Sequence, residues 1–174
     1  LGLGFLSKYA LLFFVPALMA CLWRDKPTRR ALLSTKGLFV LIITLTWMMP
    51  NMIWNMQHDF ATLTHTAANA DISGGLPAHP HPFIEFGGGQ LLVFWPVSLI
   101  VCVLAIKNAL QNRLDAPAKY LSFFILSPWI FISVQAFISR ADLNWAVTAY
   151  VAAAILTAHY GVKYWTQIKH WVKY

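Results

Sequence analysis

Long apolar blocks, each close to the length of a membrane-spanning helix, constrain this chain more than any other feature of its sequence. An α-helix needs about 20 apolar residues to cross a hydrocarbon core of ~30 Å, and within that core only helices satisfy their own backbone hydrogen bonds. The blocks therefore predict an all-α, polytopic transmembrane helical bundle with about five spans. The predicted spans are residues 1–23, 38–56, 88–106, 120–138 and 145–164.

We expect residues 1–174 to form a single transmembrane domain, and the composition supports this class of protein. The chain is 59% hydrophobic and 11% charged, whereas a soluble domain carries about 25% charged residues. A soluble core of this size leaves too much surface exposed to bury so many apolar side chains. The alternative is a soluble helical bundle with an unusually large core, but the apolar residues come in blocks and not with an amphipathic period.

The charged residues argue against one class of partner and orient the chain. The formal net charge is +7, yet Lys and Arg cluster in short connectors, which is not the footprint of a nucleic-acid-binding protein. The basic connectors are residues 24–36, 107–119 and the C-terminal tail. They alternate with residues 57–87 and 139–144, where Arg140 is the only Lys or Arg. The positive-inside rule then places the N-terminus outside and the C-terminus in the cytoplasm.

Residues 57–87 are therefore expected to form an extracytoplasmic loop with histidine and acidic side chains. Its first half, His58 to Ala70, contains no helix breaker and predicts a short helix at the membrane interface. Its second half, Asp71 to Pro82, is rich in Gly and Pro and predicts an irregular loop. There, Pro80 and Pro82 favour an extended backbone.

Lys8 is a candidate functional residue because it lies inside an apolar block. A charge at membrane depth is costly and marks a functional site by default. Near the outer leaflet, its ammonium group is able to bind a lipid phosphate as a point charge. The alternative is a lysine that extends to the lipid headgroups without a specific partner.

His58, Asp59 and His65 form a second candidate group, because residues three, four or seven apart share one face of a helix. Two histidines and a carboxylate are able to bind a divalent metal, with His58 and His65 as the ligands. Two alternatives stay open. The groups form hydrogen bonds with a sugar or phosphate headgroup, or they simply face water.

A third candidate group lies at the outer end of the last apolar block. It comprises Arg140, Asp142, Asn144 and Trp145. An aromatic ring beside amide and charged side chains suits sugar recognition, and it equally suits anchoring of a helix at the membrane interface.

Four segments together resemble a known family. They are GFLSKYALLFFVPAL, PNMIWNMQHDFATLTHT, FGGGQLLVFWPVSL and ADLNWAVTAYVAA, in this order. The chain resembles the bacterial membrane glycosyltransferases of family 39, which belong to the GT-C superfamily. These are relatives of the protein O-mannosyltransferases and of the lipid A aminoarabinose transferase. The resemblance implies a fragment from the C-terminal side of such an enzyme, in the bacterial inner (plasma) membrane.

The resemblance also implies an activity. Such enzymes transfer a sugar from a polyprenyl-phosphate carrier to a lipid, glycan or protein acceptor at the extracytoplasmic face, among membrane lipids. Lys8 matches the lysine of the S-K-Y element and is expected to bind the donor phosphate. Gln57, His58 and Asp59 match the Q-H-D element, and Asn144 and Trp145 match the N-W element. With His65 and Arg140, these residues are the candidates for substrate and headgroup binding.

The resemblance places the catalytic Asp of the family upstream of Leu1, so no catalytic residue is expected in residues 1–174. A membrane transporter or flippase component without catalytic activity is the main alternative, because spans broken by proline also suit transporters. That alternative predicts polar groups near the bilayer midplane in several spans, whereas the polar side chains inside the apolar blocks, apart from Gln135, are mostly Ser and Thr.

Overall fold

The computed structural model describes residues 3–4, 9–70 and 80–172, without the side chains of residues 69–70 and 166–172. Every regular element in these ranges is helical, which confirms the all-α prediction. In chain order they are a 3₁₀ helix Tyr9–Phe14, α1 Val15–Arg24, α2 Lys26–Leu32, α3 Thr35–Gln57, α4 Ala61–Ala70, α5 Pro80–Val93, α6 Pro96–Leu110, α7 Ala116–Ile138, a 3₁₀ helix Leu143–Ala146 and α8 Val147–Val172.

In the described part of the chain, three helical segments have the length and composition to cross a membrane: Thr35–Gln57, Ala116–Ile138 and Leu143–Trp165. A fourth is present if α5 and α6 are one broken span. The first apolar block corresponds to the shorter apolar segment Tyr9–Arg24. The chain is thus an all-α membrane protein by these criteria.

Capping side chains start several of the helices. Asp25 accepts a hydrogen bond from the backbone N–H of Thr28 at the start of α2, and Ser34 accepts one from Gly37 at the start of α3. Asp115 does the same for α7. Each cap satisfies a backbone donor that has no partner within its helix. The local sequence therefore explains where these helices begin.

Helices α6, α7 and α8 form the packed centre of the described structure. Small side chains line the contact between them, and Cys102, Ala105 and Ala153 are fully buried there. Small residues let helix backbones approach closely, which is how membrane helices gain packing contacts. The T-shaped pair of Trp129 and Tyr150 joins α7 to α8.

The segment Tyr9–Arg24 packs along α7 and runs antiparallel to it. The rings of Phe13 and Phe131 stack with 5.9 Å between centroids. The hydroxyl of Ser127 donates to the carbonyl of Phe13. These contacts fix the start of the described chain near the C-terminal half of α7.

Basic connectors meet at one end of this bundle. The Lys163 ammonium of α8 donates to the carbonyl of Arg113 at 3.3 Å, and His159 lies 3.4 Å from Asp115. Both partners belong to the connector between α6 and α7. Residues 107–119 and the second half of α8 thus share one end, as the alternation of basic connectors requires. Which end faces the cytoplasm stays a prediction.

Helix α3 stands apart from this packed centre. None of its 18-residue hydrophobic window is buried inside the described structure. Its two ends are fixed to the rest of the chain. At one end a side chain on Gly37 would overlap the carbonyl of Leu32, and at the other Asn51 and Asn55 bond to Tyr9. The apolar surface between these ends is available to lipid or to further protein.

The structure differs from the straight span predicted at 88–106. Helices α5 and α6 meet at an angle of 102°, and Trp95 between them adopts a φ of 60°. Proline disfavours α-helical backbone in the residue before it, and Pro96 follows Trp95 directly. The chain therefore turns at Trp95 instead of continuing as one helix.

The predicted loop 57–87 contains more helix than expected. Helix α4 confirms the predicted helix within His58–Ala70, although it starts at Ala61. The extended backbone predicted for Pro80 and Pro82 is wrong, because α5 begins at Pro80. Proline is tolerated in the first helical turn, where its missing N–H would have no helical partner. Residues 71–79 of the predicted irregular loop lie outside the described residues.

Candidate functional site

A network of polar side chains surrounds the C-terminal end of α3. Lys8 lies outside the described residues, but Tyr9, which follows it in the S-K-Y element, is described. The hydroxyl of Tyr9 donates to Oδ1 of Asn51 at 2.5 Å. The Asn55 amide donates to the Tyr9 hydroxyl at 3.4 Å. The S-K-Y element is therefore attached to the helix that carries the Q-H-D element.

Asn55 is the centre of this network, and only 1% of its surface is exposed. Its Nδ2 lies 2.9 Å from the carbonyl of Asn51, and its Oδ1 accepts the backbone N–H of Thr62 at 3.1 Å. Because Thr62 belongs to α4, one amide group connects Tyr9, α3 and α4. A buried amide with both ends bonded fixes the relative position of the elements that it joins.

The turn His58–Phe60 between α3 and α4 has an unusual backbone. The φ angles of Asp59 and Phe60 are 51° and 54°, in the left-handed region that side chains other than glycine adopt rarely. The carbonyl of Asn55 accepts the N–H groups of both His58 and Phe60, at 3.2 and 2.7 Å. These bonds hold the turn, and the side chains of residues 57–60 are exposed.

His58 has a defined orientation on this turn. Its ring stacks on Trp54 with 4.2 Å between centroids and 13° between planes. Its Nδ1 lies 2.8 Å from the carbonyl of Trp54. A carbonyl only accepts hydrogen bonds, so Nδ1 carries the proton and a neutral His58 presents Nε2 as an acceptor. When protonated, the same ring presents an N–H donor at that position.

The prediction that His58, Asp59 and His65 share one helical face is wrong. The positive φ angles at residues 59 and 60 end the helical path before α4 begins, so His65 lies on α4 while the other two lie on the turn. Among the residues that the structure describes, no group of three or more His, Cys, Asp or Glu side chains is placed to hold a metal ion. The geometry here gives no support to the metal alternative.

The third candidate group divides between surface and core. Asn144, Arg140 and Asp142 are exposed. Trp145 instead packs against a buried cluster that contains Phe86 and Ile132. This packing gives Trp145 a structural contact within the bundle, and its roles in sugar binding and in interface anchoring stay predictions.

Two buried side chains that the sequence analysis did not single out connect the remaining motifs. Tyr150, in the segment ADLNWAVTAYVAA, donates to Oε1 of Gln90 in the segment FGGGQLLVFWPVSL. Beside this pair, Leu143 covers Gly89 so closely that a Cβ at position 89 would overlap the Leu143 side chain. The only signal available in the sequence was a polar residue within an apolar block, which needs a partner when buried.

The Tyr9–Asn51–Asn55 network and the Tyr150–Gln90 pair lie at the same end of the bundle. Phe13, in the segment that starts with Tyr9, packs against the same buried cluster as Trp145. That cluster joins Phe86 of α5 to Ile132 and Ala136 near the end of α7. One apolar cluster thus lies beneath both polar regions, at the end opposite the basic connectors.

Comparison with known proteins identifies one curated relative. The chain is 34% identical over 155 residues to the lipid A galacturonosyltransferase RgtD of Rhizobium johnstonii. The match includes 89% of this chain and 32% of the relative, so the chain spans about a third of that protein's length. No protein-family profile matches the chain, and no solved structure matches it.

The described polar end offers hydrogen-bonding groups at a surface. Gln57 presents an amide at the end of α3, and His58 and Asp59 present a ring nitrogen and a carboxylate on the following turn, whose backbone is fixed by Asn55. Such groups suit the hydroxyls of a sugar. A phosphate instead needs cations or N–H donors, which among these residues only Gln57 and a protonated His58 supply.

Proposed function

We propose that the chain is part of a membrane glycosyltransferase that transfers a sugar from a polyprenyl-phosphate donor to lipid A or a related lipid. The observation that carries this proposal is the 34% identity over 89% of the chain to a lipid A galacturonosyltransferase. The structure supports it by bringing the S-K-Y and Q-H-D elements to the same polar network.

The proposed chemistry takes place at the extracytoplasmic face of the bacterial inner membrane. When the bond between sugar and phosphate breaks, negative charge develops on the phosphate that leaves. A fixed cation in a water-poor site stabilises that charge. We assign this role to Lys8. We assign the sugar hydroxyls to the turn that carries Gln57, His58 and Asp59.

A base must also remove the proton from the acceptor hydroxyl as it attacks the sugar. We do not assign this role to Asp59, because its match is to the binding element Q-H-D. The proposal places the base outside residues 1–174. Gln90 and Ser122, two polar side chains buried in the apolar helices, bond to neighbouring protein groups, as in a packed core.

The test uses the full-length protein that carries this chain, in bacterial membranes supplied with lipid A and polyprenyl-phosphate-linked galacturonic acid. We expect a lipid A product that is heavier by one hexuronic acid residue, detected by mass spectrometry. The substitution Lys8→Ala should lower the rate of transfer about 100-fold or more, which is the usual effect of removing a group that stabilises charge in the transition state. The substitution Lys8→Arg keeps a cation and should retain part of the wild-type rate.

His58→Ala should raise the donor KM more than it lowers kcat, because the ring is proposed to contact the sugar in both the ground and transition states. Exposed Thr66→Ala on α4 serves as the control and should behave as wild type. If well-expressed wild-type protein adds no sugar from any polyprenyl-phosphate donor tested, the proposal is wrong.

A further inference from the structure

We infer that Tyr9, Asn51 and Asn55 are positioning residues, which tie the segment that starts at Tyr9 to the His58–Phe60 turn and so hold that turn in place for a donor headgroup. This inference rests on the proposed function. It assigns a role to residues that the sequence motifs did not mark as binding groups, and none of the three is proposed to touch substrate.

The hydrogen bonds of the network show how it would act. Asn51 Oδ1 accepts from the Tyr9 hydroxyl at 2.5 Å and from Asn55 Nδ2 at 3.2 Å. Asn55 Oδ1 then accepts from the Thr62 backbone at 3.1 Å. A displacement at Tyr9 is thereby transmitted through two side-chain amides to the start of α4. Chains of hydrogen bonds in a buried setting strengthen one another, so their geometry is well defined.

The backbone of the turn gives the second reason. Asp59 and Phe60 hold left-handed φ angles, and Phe60 is a bulky residue for which this is unfavourable. Such conformations persist when surrounding bonds over-determine them. Here the Asn55 carbonyl and amide supply those bonds, on both sides of the turn. The network therefore fixes the segment that carries His58 and Asp59.

The setting of α3 gives the third reason. Its hydrophobic window is not buried against the described bundle, so apolar packing there does not position its C-terminal end. The bonds of Asn51 and Asn55 to Tyr9 are the described link between that end and the segment that packs on α7. Without them, the Q-H-D turn would be free to shift relative to Tyr9 and the segment that follows it.

The chain offers a matched control for the test. Tyr160 of α8 also bonds to an asparagine on another helix, because Asn108 Nδ2 donates to its hydroxyl at 3.4 Å. That pair lies near the basic connectors, far from the polar end. Tyr9→Phe and Tyr160→Phe each remove a phenol hydroxyl that bonds to asparagine on another helix. Tyr9→Phe loses two such bonds and Tyr160→Phe loses one, so the stability of each variant is measured beside its kinetics.

The experiment measures sugar transfer by the full-length protein with the donor and acceptor concentrations varied separately, together with its thermal unfolding midpoint. Tyr9→Phe should raise the donor KM about 10-fold or more, because displaced binding groups lose contact with the headgroup. The acceptor KM should match that of Tyr160→Phe, and the rise in donor KM should exceed what any loss of folded protein explains.

Equal kinetics for Tyr9→Phe and Tyr160→Phe in an active protein would overturn this inference and leave the proposed function standing. A loss of activity that follows only the loss of folded protein would also overturn it. Absence of transfer by the wild type would overturn the proposed function, and this inference with it.

Discussion

Tyr150 of α8 donates its phenol hydrogen to Oε1 of Gln90 in α5, and both side chains are buried. The Gln90 amide in turn donates to the carbonyl of Phe86 at 3.1 Å, while Phe94 stacks on the Tyr150 ring with 4.8 Å between centroids. This set of contacts holds α5 against α8 despite the sharp angle between α5 and α6. It also joins two sequence elements that lie 60 residues apart.

Removing both partners of this bond should destabilise the protein less than the two single losses added together. Tyr150→Phe leaves the Gln90 oxygen buried without a donor, and we expect a loss of about 1 kcal/mol, because hydrogen bonds between membrane helices are worth less than a full desolvation penalty. Gln90→Leu should cost a similar amount. The double substitution should cost less than the sum, measured by unfolding of the purified protein in detergent. Strictly additive losses would contradict the bond.

Adjacent glycines on α5 should respond differently to the same substitution. At Gly88 a Cβ meets nothing within 4 Å, whereas at Gly89 it would overlap the Leu143 side chain. Gly88→Ala should therefore stabilise the helix by about 0.5–1 kcal/mol, the ordinary difference in helix propensity.

Gly89→Ala should gain less stability than Gly88→Ala, or should lose stability, because the Leu143 side chain must move. Gly89→Val should lose more stability than Gly89→Ala. Unfolding midpoints of the three variants in one detergent test this order. If Gly88→Ala and Gly89→Ala raise the midpoint equally, the close packing of Leu143 on Gly89 is not present in the protein.

The fold class followed from the sequence because it depends on composition and block length. The helices of α3, α7 and α8 lie where the apolar blocks predicted them, and α4 lies within the segment without breakers. These are local properties. Wherever a residue's environment depends on a distant partner, the sequence was less informative.

Two examples show the difference. Tyr9 and Asn51 are 42 residues apart, and a single sequence shows only that each is a polar residue beside apolar ones. The bend at Trp95 had a visible cause in Pro96, but Pro50 and Pro128 lie within α3 and α7 without ending them. Proline shows where a membrane helix is able to bend. At Trp95 the chain does bend, and next to the bend Phe94 stacks on the distant Tyr150.

Asp25 should make the stability of the basic end depend on pH. Hydrogen bonds from the hydroxyl and backbone of Thr28 hold the pKa of the Asp25 carboxyl below its ordinary value. Because the folded pKa lies below the unfolded one, the ionised group stabilises the fold at neutral pH. That contribution falls as the pH drops below about 4, where the carboxylate gains a proton.

Asp25→Asn keeps an oxygen for the helix cap but does not titrate in this range. The wild type should therefore unfold at a higher temperature than Asp25→Asn at pH 7, and the difference should shrink as the pH is lowered toward 3. A difference that is independent of pH would show that the carboxylate charge does not contribute.

The orientation of the chain in the membrane provides the last prediction. Cys21 and Cys102 are 5% and 0% exposed, so a membrane-impermeant maleimide should label the unmodified protein weakly. Ala31 of α2 and Ala67 of α4 are both exposed alanines on helices at opposite ends of the bundle, and each tolerates a small substitution. Lys and Arg near a span stay on the cytoplasmic side, and Ala31 lies between Arg30 and Lys36.

In intact spheroplasts, Ala67→Cys should therefore react, and Ala31→Cys should react only after the membrane is permeabilised. The reverse pattern would place the Q-H-D turn in the cytoplasm, where a donor headgroup in the outer leaflet is out of reach, and the proposed site would be wrong whatever its hydrogen bonds.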